Sequence, residues 1–293
     1  MIDLGMVLTA MVTPFKSDGS VDYKRAAELA NYLADNGSDG LVVHGTTGES
    51  PTLTHEEEYE MYRTVKKAVG KRVKVIAGTG SNSTAETLES TKEAEKIGVD
   101  AAMVVVPYYN KPSQEGMYQH YTAVAQSTKL PIIIYNIQGR TGVNMTADTV
   151  ARLSKIKNIV GIKEASGIME QTSEIRQKTP KEFVIYSGDD DKTIEIMKRG
   201  GYGVISVASH IAGKEIKKMC ELFNAGKVEE AEKINTKLSP LFKVLFITTN
   251  PTPVKAALAM IGQPVGGLRL PLIEANASEK EQIRKVLADL RLI

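Results

Sequence analysis

Eight short runs of β-branched and other apolar residues recur along the chain, and segments with helical apolar spacing lie between them. Continuous apolar runs of this length are typical of strands that are buried on both faces. Strands that alternate with helices predict right-handed βαβ units and a parallel sheet. Eight such units predict a closed (β/α)8 barrel, with a doubly wound open sheet as the alternative. The runs are "MVLTAMV" (6–12), "GLVVHG" (40–45), "KVIAGTG" (74–80), "AAMVVVP" (101–107), "PIIIYN" (131–136), "NIVGIK" (158–163), "FVIYSG" (183–188) and "GVISVA" (203–208).

The residues after position 208 contain helical apolar spacing and no further strand pattern. We therefore expect an α/β protein, a TIM barrel with a C-terminal helical extension. The predicted division is a catalytic barrel at residues 1–224 and an extension at 225–293. The predicted helical segments of the tail are "IAGKEIKKMCELFNAG", "VEEAEKINTKLSPLFKVLFI", "PVKAALAMIG" and "EKEQIRKVLADLRLI".

The composition excludes several classes of protein. Hydrophobic residues make up 42% of the 293 residues and charged residues 25%, which predicts an ordered chain with a large core. The net charge of +2 and the scattered Lys and Arg residues give no basic patch for nucleic acid. No apolar run reaches the roughly 18 to 20 residues that span a bilayer. We expect no nucleic acid partner and no membrane partner.

Two features predict a cytoplasmic location. The N-terminal segment carries Asp3 and lacks the basic region of a signal peptide. The single cysteine, Cys220, can form no internal disulfide, which fits a reducing compartment. Its surroundings, "IKKMCELF", are typical of a helix face, so we expect a packing role.

No motif indicates a metal or a cofactor. The four histidines have no metal-ligand spacing. The acidic run at 189–191 could suggest a cation site, but we expect it to start a helix, where carboxylates cap free N–H groups. The segment "GTGSNS" (78–83) lacks the third glycine of a dinucleotide fingerprint. We expect neither a metal nor a cofactor.

Lys163 ends the apolar run "NIVGIK", and lysine is rarely buried without compensation. Removal of an ammonium from water favours the free amine, which can form a Schiff base with a carbonyl substrate. The alternative is a strand-end lysine that reaches solvent. Tyr135 ends the preceding strand, about 4.8 Å away in a parallel sheet. Its hydroxyl could donate and accept protons beside the amine, or it could be a core tyrosine with a satisfied hydroxyl.

Other strand ends add groups that suit a carboxylate-bearing substrate. Thr46 and Thr47, in "GTTGES", could bind a carboxylate or relay a proton, or simply cap a tight turn. Arg140, in "QGRTG", could grip a carboxylate with its forked guanidinium, or it could be a surface arginine. The backbone groups of Gly188 and Ile205 could line the same pocket.

The loop "PYYNKP" (107–112) places Tyr108 and Tyr109 between two prolines after the fourth strand. Tyrosines are typical of interfaces, where the rings pack and the hydroxyls stay in contact with water. The loop therefore predicts a surface that meets another protein chain.

The segments "GTTGES", "YNIQGRTG", "GIKEASG" and "SGDDD", in this order and spacing, resemble the dihydrodipicolinate synthase and N-acetylneuraminate lyase family of pyruvate-dependent class I aldolases. The resemblance extends over nearly the whole chain. It implies that Lys163 forms a Schiff base with pyruvate, that Tyr135 is the acid/base residue and that Thr47 is its relay partner. It also implies that Tyr109 comes from a neighbouring subunit, within a homotetramer of two tight dimers.

The second substrate distinguishes the branches of the family. Arg140, together with "TTGE" and "YYNKP", resembles the dihydrodipicolinate synthase branch, where the arginine holds the carboxylate of aspartate 4-semialdehyde. The implied product is the cyclic hydroxytetrahydrodipicolinate of lysine and diaminopimelate synthesis. Gln138 departs from the proline that is common in relatives. The alternatives are an aldolase for 2-keto-3-deoxy sugar acids or sialic acid, and an inactive keto-acid sensor.

The resemblance also implies a feedback site for lysine at the dimer interface. In this site Glu86 would pair with the α-ammonium, Asn82 would bind the carboxylate and His55 or Glu58 would receive the ε-ammonium. The alternative is that these residues belong to a solvated helix start, since "LTHEEE" is also typical of a capped N-terminus. The implied residues are Ser50, Pro51, His55, Glu58, Asn82, Glu86 and Tyr108.

Overall fold

Eight parallel strands form a closed barrel in the computed structural model, which describes residues 3–293. Each strand pairs with its neighbours in sequence, and β8 pairs with β1 to close the ring. The predicted (β/α)8 barrel is confirmed, and so are all eight strands. Residues 1 and 2, which the predicted barrel region includes, lie outside the described residues. The strands are β1 (Val7–Ala10), β2 (Gly40–Val43), β3 (Lys74–Gly78), β4 (Ala101–Val105), β5 (Ile132–Asn136), β6 (Ile159–Glu164), β7 (Val184–Ser187) and β8 (Gly203–Ser206).

Helices connect the strands and surround the barrel. Three further short segments, Thr46–Gly48, Ser50–Thr52 and Asp190–Lys192, are 3₁₀ turns. The α-helices within residues 3–293 are α1 (Tyr23–Asp35), α2 (His55–Val69), α3 (Thr84–Ile97), α4 (Gln114–Ser127), α5 (Gln138–Thr141), α6 (Ala147–Leu153), α7 (Met169–Lys178), α8 (Thr193–Lys198), α9 (Ser209–Asn224), α10 (Val228–Val244), α11 (Thr252–Met260) and α12 (Ala277–Asp289).

Helix α2 illustrates how local sequence sets the helix ends. Thr54 accepts a hydrogen bond from the Glu57 N–H, and the Glu57 carboxylate accepts one from the Thr54 N–H. This reciprocal pair satisfies two N–H groups that the first helical turn leaves free. Gly70 ends the helix with a φ of 59°, a conformation that costs glycine little. The capped start that "LTHEEE" indicates is therefore confirmed.

The strands divide the core into a barrel interior and an outer layer. On β5, Ile133 and Tyr135 belong to the interior cluster, whereas Ile132 and Ile134 pack in the layer between strands and helices. This alternation follows from the two-residue period of a strand. Both faces of the sheet are apolar, and for this reason the sequence shows continuous apolar runs.

The four helices predicted for the tail are confirmed as α9 to α12. Leu238 and Leu241 of α10 and Ile283 of α12 are buried in the same core cluster as Leu29 of α1. The tail thus packs on the barrel through a shared apolar core. Cys220, on α9, is fully buried as predicted, and burial raises the pKa of its thiol to about 12.

Candidate active site

Lys163 and Tyr135 are register partners across the ladder between β6 and β5. Lys163 is 5% exposed and Tyr135 is 4% exposed. The Lys163 Nζ atom lies 4.1 Å from the centroid of the Tyr135 ring. The predicted proximity of the two side chains is confirmed. An amine and a phenol therefore share one buried position at the carboxyl end of the strands.

The strand period places Lys163 in the barrel interior. Ile162 packs in the outer layer, so its neighbour Lys163 faces the opposite side of the sheet. A register irregularity lies between Ile132 and Ile133, where Ile132 pairs with Ile159 and Ile133 pairs with Gly161. Because a one-residue slip moves every side chain to the other face, this irregularity helps to decide that Lys163 points inward.

Gly188, directly after the end of β7, also lies next to Lys163. A Cβ atom on Gly188 would lie 2.5 Å from Ala165 Cβ and 3.2 Å from Lys163 Cε, so a side chain would clash with Ala165 and crowd the lysine. Burial raises the pKa of the neighbouring Asp189 to about 6, and the positive charge of Lys163 acts in the opposite direction. The structure therefore places Gly188 beside Lys163, as a pocket-lining role requires.

The acidic run after β7 differs from its prediction. The run begins a 3₁₀ turn that leads into α8, but the buried Asp190 carboxylate accepts hydrogen bonds from Ser206 Oγ and from the N–H groups of Val207 and Ala208. Asp189 forms no side-chain cap bond either. The predicted helix start is confirmed, but the capping role is wrong for these two residues, because the Asp190 carboxylate binds the N–H groups that follow β8 instead. The carboxylate instead joins the ends of β7 and β8.

Ile205 lies in the middle of β8, opposite Leu8, and is fully buried in the barrel interior. Its side chain therefore contributes to interior packing. Any contact with a ligand would have to use its backbone groups, in line with the role predicted from the sequence.

The two predicted threonines in the turn after β2 differ in burial. Thr46 is half-buried, whereas Thr47 is buried and its hydroxyl accepts a hydrogen bond from Asn250 Nδ2 at 2.9 Å. The Thr13 hydroxyl donates to the Gly48 carbonyl at 2.6 Å and fastens the turn to the segment after β1. Thr13, near the N-terminus, and Asn250, in the C-terminal part of the chain, thus both hold the turn by hydrogen bonds.

A cavity of about 490 Å³ lies between the loops that follow β2, β3, β4 and β5. Thr46 and Arg140 line it, and so do six of the seven residues of the implied lysine site. Asn82 does not line it, and its carbonyl accepts a hydrogen bond from Asn110 Nδ2. The six residues are Ser50, Pro51, His55, Glu58, Glu86 and Tyr108.

Lys163, Tyr135 and Thr47 do not line this cavity. Val105, which pairs with Tyr135 in the β4–β5 ladder, does line it, as does Ile137, two residues after Tyr135. The cavity therefore lies beside the buried pair rather than over the lysine. The predicted site residues therefore form two adjacent groups, one that lines the cavity and one that is buried beside it.

Glu58 is the buried anionic group of the cavity wall. Its carboxylate accepts a hydrogen bond from the Tyr62 hydroxyl at 2.7 Å and lies 3.3 Å from His55 Nδ1 and 3.5 Å from His44 Nδ1. Burial raises the pKa of Tyr62 well above its usual range, and the charge of Glu58 adds to this shift. Glu58 is thus held by several side chains and is more than a solvated helix-start residue.

Tyr109 is the most exposed aromatic residue of the cavity wall, at 87%. Its φ of 71° lies in the left-handed region, which costs a tyrosine conformational energy. Two bonds hold the loop in this shape: the Tyr109 N–H donates to the Thr141 carbonyl, and the Asn110 N–H donates to the Tyr108 carbonyl. The loop presents the tyrosine outward from its own chain.

Arg140 is exposed on the one-turn helix α5, where it lines the cavity. Gln138 begins this turn, and its carbonyl accepts a hydrogen bond from the Gly142 N–H. The Thr141 hydroxyl donates to the Ile137 carbonyl at 3.0 Å. The segment with Gln138 in place of proline is therefore an ordered turn that places Arg140 at the cavity wall.

Sequence reasoning missed four buried polar residues at the site, Glu49, Glu164, Asn250 and Lys255. Asn250 supports Thr47 from 203 positions away, and Lys255 forms a buried ion pair with Glu49 at 2.5 Å. Glu164, beside Lys163, is buried among amide side chains, and burial raises the pKa of its carboxyl. A glutamate within "GTTGES" was a visible signal for Glu49, whereas nothing near Asn250 in sequence indicated its partner.

Comparison with known proteins identifies the family. The sequence model of the dihydrodipicolinate synthetase family matches residues 3–290. The chain belongs to this family. A 4-hydroxy-tetrahydrodipicolinate synthase from Moorella thermoacetica is 57% identical over 289 residues, which cover 99% of each chain.

Two solved structures of the family extend the comparison. The dihydrodipicolinate synthase of Cyanidioschyzon merolae, crystallised with lysine bound, superimposes with a TM-score of 0.98 at 50% identity and covers 99% of each chain. The chloride-inhibited synthase of Acinetobacter baumannii, in complex with pyruvate, gives a TM-score of 0.97 at 41% identity, with coverage of 99% of this chain and 100% of that one. In the described part of the present family member, no helix is both long and apolar enough to cross a membrane.

Proposed function

We propose that the protein condenses pyruvate with L-aspartate 4-semialdehyde to form 4-hydroxy-tetrahydrodipicolinate, as a lyase of lysine and diaminopimelate biosynthesis. Relatives with this activity match the chain over its full length. The observation that carries the proposal is the buried pair of Lys163 and Tyr135, with 4.1 Å between the amine and the ring centroid.

Lys163 is the covalent residue in this proposal. Its neutral amine attacks the keto carbon of pyruvate to give a carbinolamine, and loss of water then gives the imine. Loss of a proton from the methyl carbon gives an enamine, which attacks the aldehyde carbon of the second substrate. The amino group of that substrate then attacks the imine carbon, which closes the ring and releases the Lys163 amine. The hydroxyl of Tyr135 lies on the adjacent strand, where it can donate and accept the protons of these steps.

Thr47 and Tyr109 complete the proton relay in our proposal. Thr47 is buried, and its hydroxyl is held by Asn250. Tyr109 is 87% exposed on its own chain, and its left-handed backbone turns it outward. This geometry supports a tyrosine that reaches the site of a second copy. We therefore propose a homotetramer of two tight dimers in which each partner donates and receives Tyr109.

Arg140 is the proposed binding group for the carboxylate of the semialdehyde. Its exposed guanidinium lines the cavity together with Thr46. A planar guanidinium can bind both oxygens of a carboxylate. Gly188 and the backbone of Ile205 complete the proposed pocket around the lysine adduct.

A second proposal concerns regulation by L-lysine. Six of the implied residues share one cavity, and Glu58 and Glu86 supply two carboxylates to its wall. The synthase of Cyanidioschyzon merolae binds lysine. The acidic wall suits a ligand with two ammonium groups.

The division at residues 224 and 225 and the cytoplasmic location remain predictions from the sequence.

Borohydride trapping tests the covalent step. Reduction in the presence of pyruvate should add one pyruvate-derived group to the tryptic peptide that carries Lys163, as measured by mass spectrometry. The Lys163→Ala variant should take up no group and lose most of its turnover. An adduct on another lysine would contradict the assignment.

A coupled assay tests the choice of substrate. Turnover should require pyruvate together with aspartate 4-semialdehyde. Cleavage of a 2-keto-3-deoxy sugar acid at a higher rate would favour the sister aldolase, and absence of turnover with all substrates would favour the sensor.

A further inference from the structure

The hydroxyl that the proposed relay uses is fixed by a residue of the C-terminal extension. Asn250, between α10 and α11, donates from Nδ2 to Thr47 Oγ1 at 2.9 Å, and both residues are buried. No other side-chain hydrogen bond to Thr47 Oγ1 is present among residues 3–293. The orientation of this hydroxyl therefore depends on Asn250.

The orientation of the Asn250 amide sets the direction of this bond: Nδ2 faces Thr47, and the buried Oδ1 has no hydrogen-bond partner among residues 3–293. An amide nitrogen only donates, whereas a threonine hydroxyl has one proton and accepts through its oxygen. When Thr47 accepts from Asn250, its own proton remains free for another acceptor. The bond thus selects the donor form of Thr47, which a proton relay requires.

The turn that carries Thr47 has anchors that do not involve Asn250. Glu49 forms a buried ion pair with Lys255 at 2.5 Å and accepts a hydrogen bond from the Arg269 N–H at 3.0 Å. Lys255 also donates to the Gly267 carbonyl at 2.7 Å. Truncation of Asn250 should therefore leave the backbone of the turn in place.

We propose that Asn250 is a positioning residue of the reaction, which orients the Thr47 hydroxyl as a proton donor. The inference rests on the proposed function, because it assigns to the extension a role in the same proton relay. Asn250 acts through Thr47 and not on the substrate.

The first test compares Asn250→Ala with a control on the same segment. Turnover (kcat) should fall roughly tenfold to hundredfold, because loss of a positioned proton donor slows proton transfer. The KM for pyruvate should change less than about twofold, since binding is not affected. The control Thr252→Val removes the hydroxyl that donates to the Ile273 carbonyl and should keep the wild-type kcat. An unchanged kcat in Asn250→Ala would overturn the proposal.

A double-mutant cycle asks whether Asn250 acts through Thr47. In a Thr47→Val background, which keeps the shape and lacks the hydroxyl, Asn250→Ala should cause no further loss of kcat. Independent, multiplying losses would show that Asn250 acts by another route and would overturn the proposal.

The third variant, Asn250→Asp, tests the direction of the bond. At a pH where the new carboxyl is ionised, it can only accept hydrogen bonds. It should therefore accept a bond from the Thr47 hydroxyl, occupy the proton that the relay needs, and lower kcat below that of Asn250→Ala. A kcat above that of Asn250→Ala would show that Thr47 normally donates to Asn250, and would overturn the proposal.

Borohydride trapping separates this inference from the proposed function. Asn250→Ala should still form the adduct on Lys163 in the presence of pyruvate. If the wild-type protein forms no adduct, the proposed function fails. If both proteins form it and turn over at the same rate, only the role of Asn250 fails.

Discussion

Tyr135 and Lys163 stand directly opposite each other between β5 and β6, and the lysine Nζ lies 4.1 Å from the ring centroid of the tyrosine. A cation at this distance from an aromatic centroid is attracted to the face of the ring. The ring can therefore hold the lysine, and in the proposed reaction the hydroxyl moves protons. These two functions can be separated by substitution.

The Tyr135→Phe variant keeps the ring and removes the hydroxyl. Turnover should fall by about 10² to 10⁴, the range that a general acid or base contributes. Thermal stability should change little, since the ring still packs over Lys163. Steady-state kinetics together with a melting curve give both values.

Tyr186→Phe is the matched control, because Tyr186 also pairs with Lys163 in register but its hydroxyl donates to the Gly5 carbonyl. This variant should lose about 1 kcal/mol of stability and keep its turnover. Equal loss of turnover in both variants would mean that Tyr135 has no special role.

Arg140→Ala should raise the apparent KM for the semialdehyde far more than the KM for pyruvate. Loss of a charged hydrogen-bond partner costs roughly 1.5 to 3 kcal/mol, or about one to two orders of magnitude in binding. Arg152→Ala removes an exposed arginine that pairs with Glu115, away from the cavity, and should change neither KM. Equal effects of Arg140→Ala on both substrates would point to a structural role.

Mixed oligomers test whether Tyr109 acts in a neighbouring site. Inactive Tyr109→Phe and Lys163→Ala subunits should recover activity after exchange, because one site of each mixed dimer is then intact. A mixture of Tyr135→Phe with Lys163→Ala subunits is the control, since every site keeps one defect and should stay inactive. If the first mixture stays inactive after verified exchange, each site is built within one chain.

L-lysine should inhibit the enzyme partially, and Glu86→Ala should remove this inhibition. Glu86 lines the cavity and accepts a hydrogen bond from the Ser81 hydroxyl at 2.6 Å. Glu89→Ala changes an exposed residue on the same helix that does not line the cavity, and it should leave inhibition unchanged. A flat response of the wild-type enzyme to lysine would exclude this regulation.

His210 should make the protein sensitive to acid. Burial lowers the pKa of His210 to about 4, whereas an unfolded histidine takes up a proton near 6.5. The contribution of neutral His210 to the free energy of unfolding is therefore fully present above about pH 6.5, and it is lost as the pH falls towards 4. The stability advantage of the wild type over His210→Gln should shrink by about 2 kcal/mol between about pH 7.5 and about pH 5.

Urea unfolding at the two pH values measures this difference. The wild-type His210 accepts a hydrogen bond from the Val12 N–H through Nε2, so it must be neutral in the fold. An advantage that stays constant over this range would show that the histidine titrates normally.

The sequence alone determined the barrel and the closeness of Lys163 and Tyr135. Continuous apolar runs recur because both faces of each strand are buried, and strand ends of a parallel barrel meet at one rim. Lys163 and Tyr135 could therefore be paired before any coordinates were known. Local sequence made Thr47 a candidate relay group and Arg140 a candidate carboxylate-binding group, and the resemblance selected these roles and added that of Tyr109.

Only the tertiary structure decided which polar groups support the site. Asn250 meets Thr47 across 203 positions, and Asp190 binds N–H groups of another strand end instead of capping its own helix. Local sequence predicts local hydrogen bonds, whereas a buried donor takes whichever acceptor the fold brings within reach. The separation of the cavity from the buried lysine is likewise a property of packing, because the loops that enclose it come from four different strands.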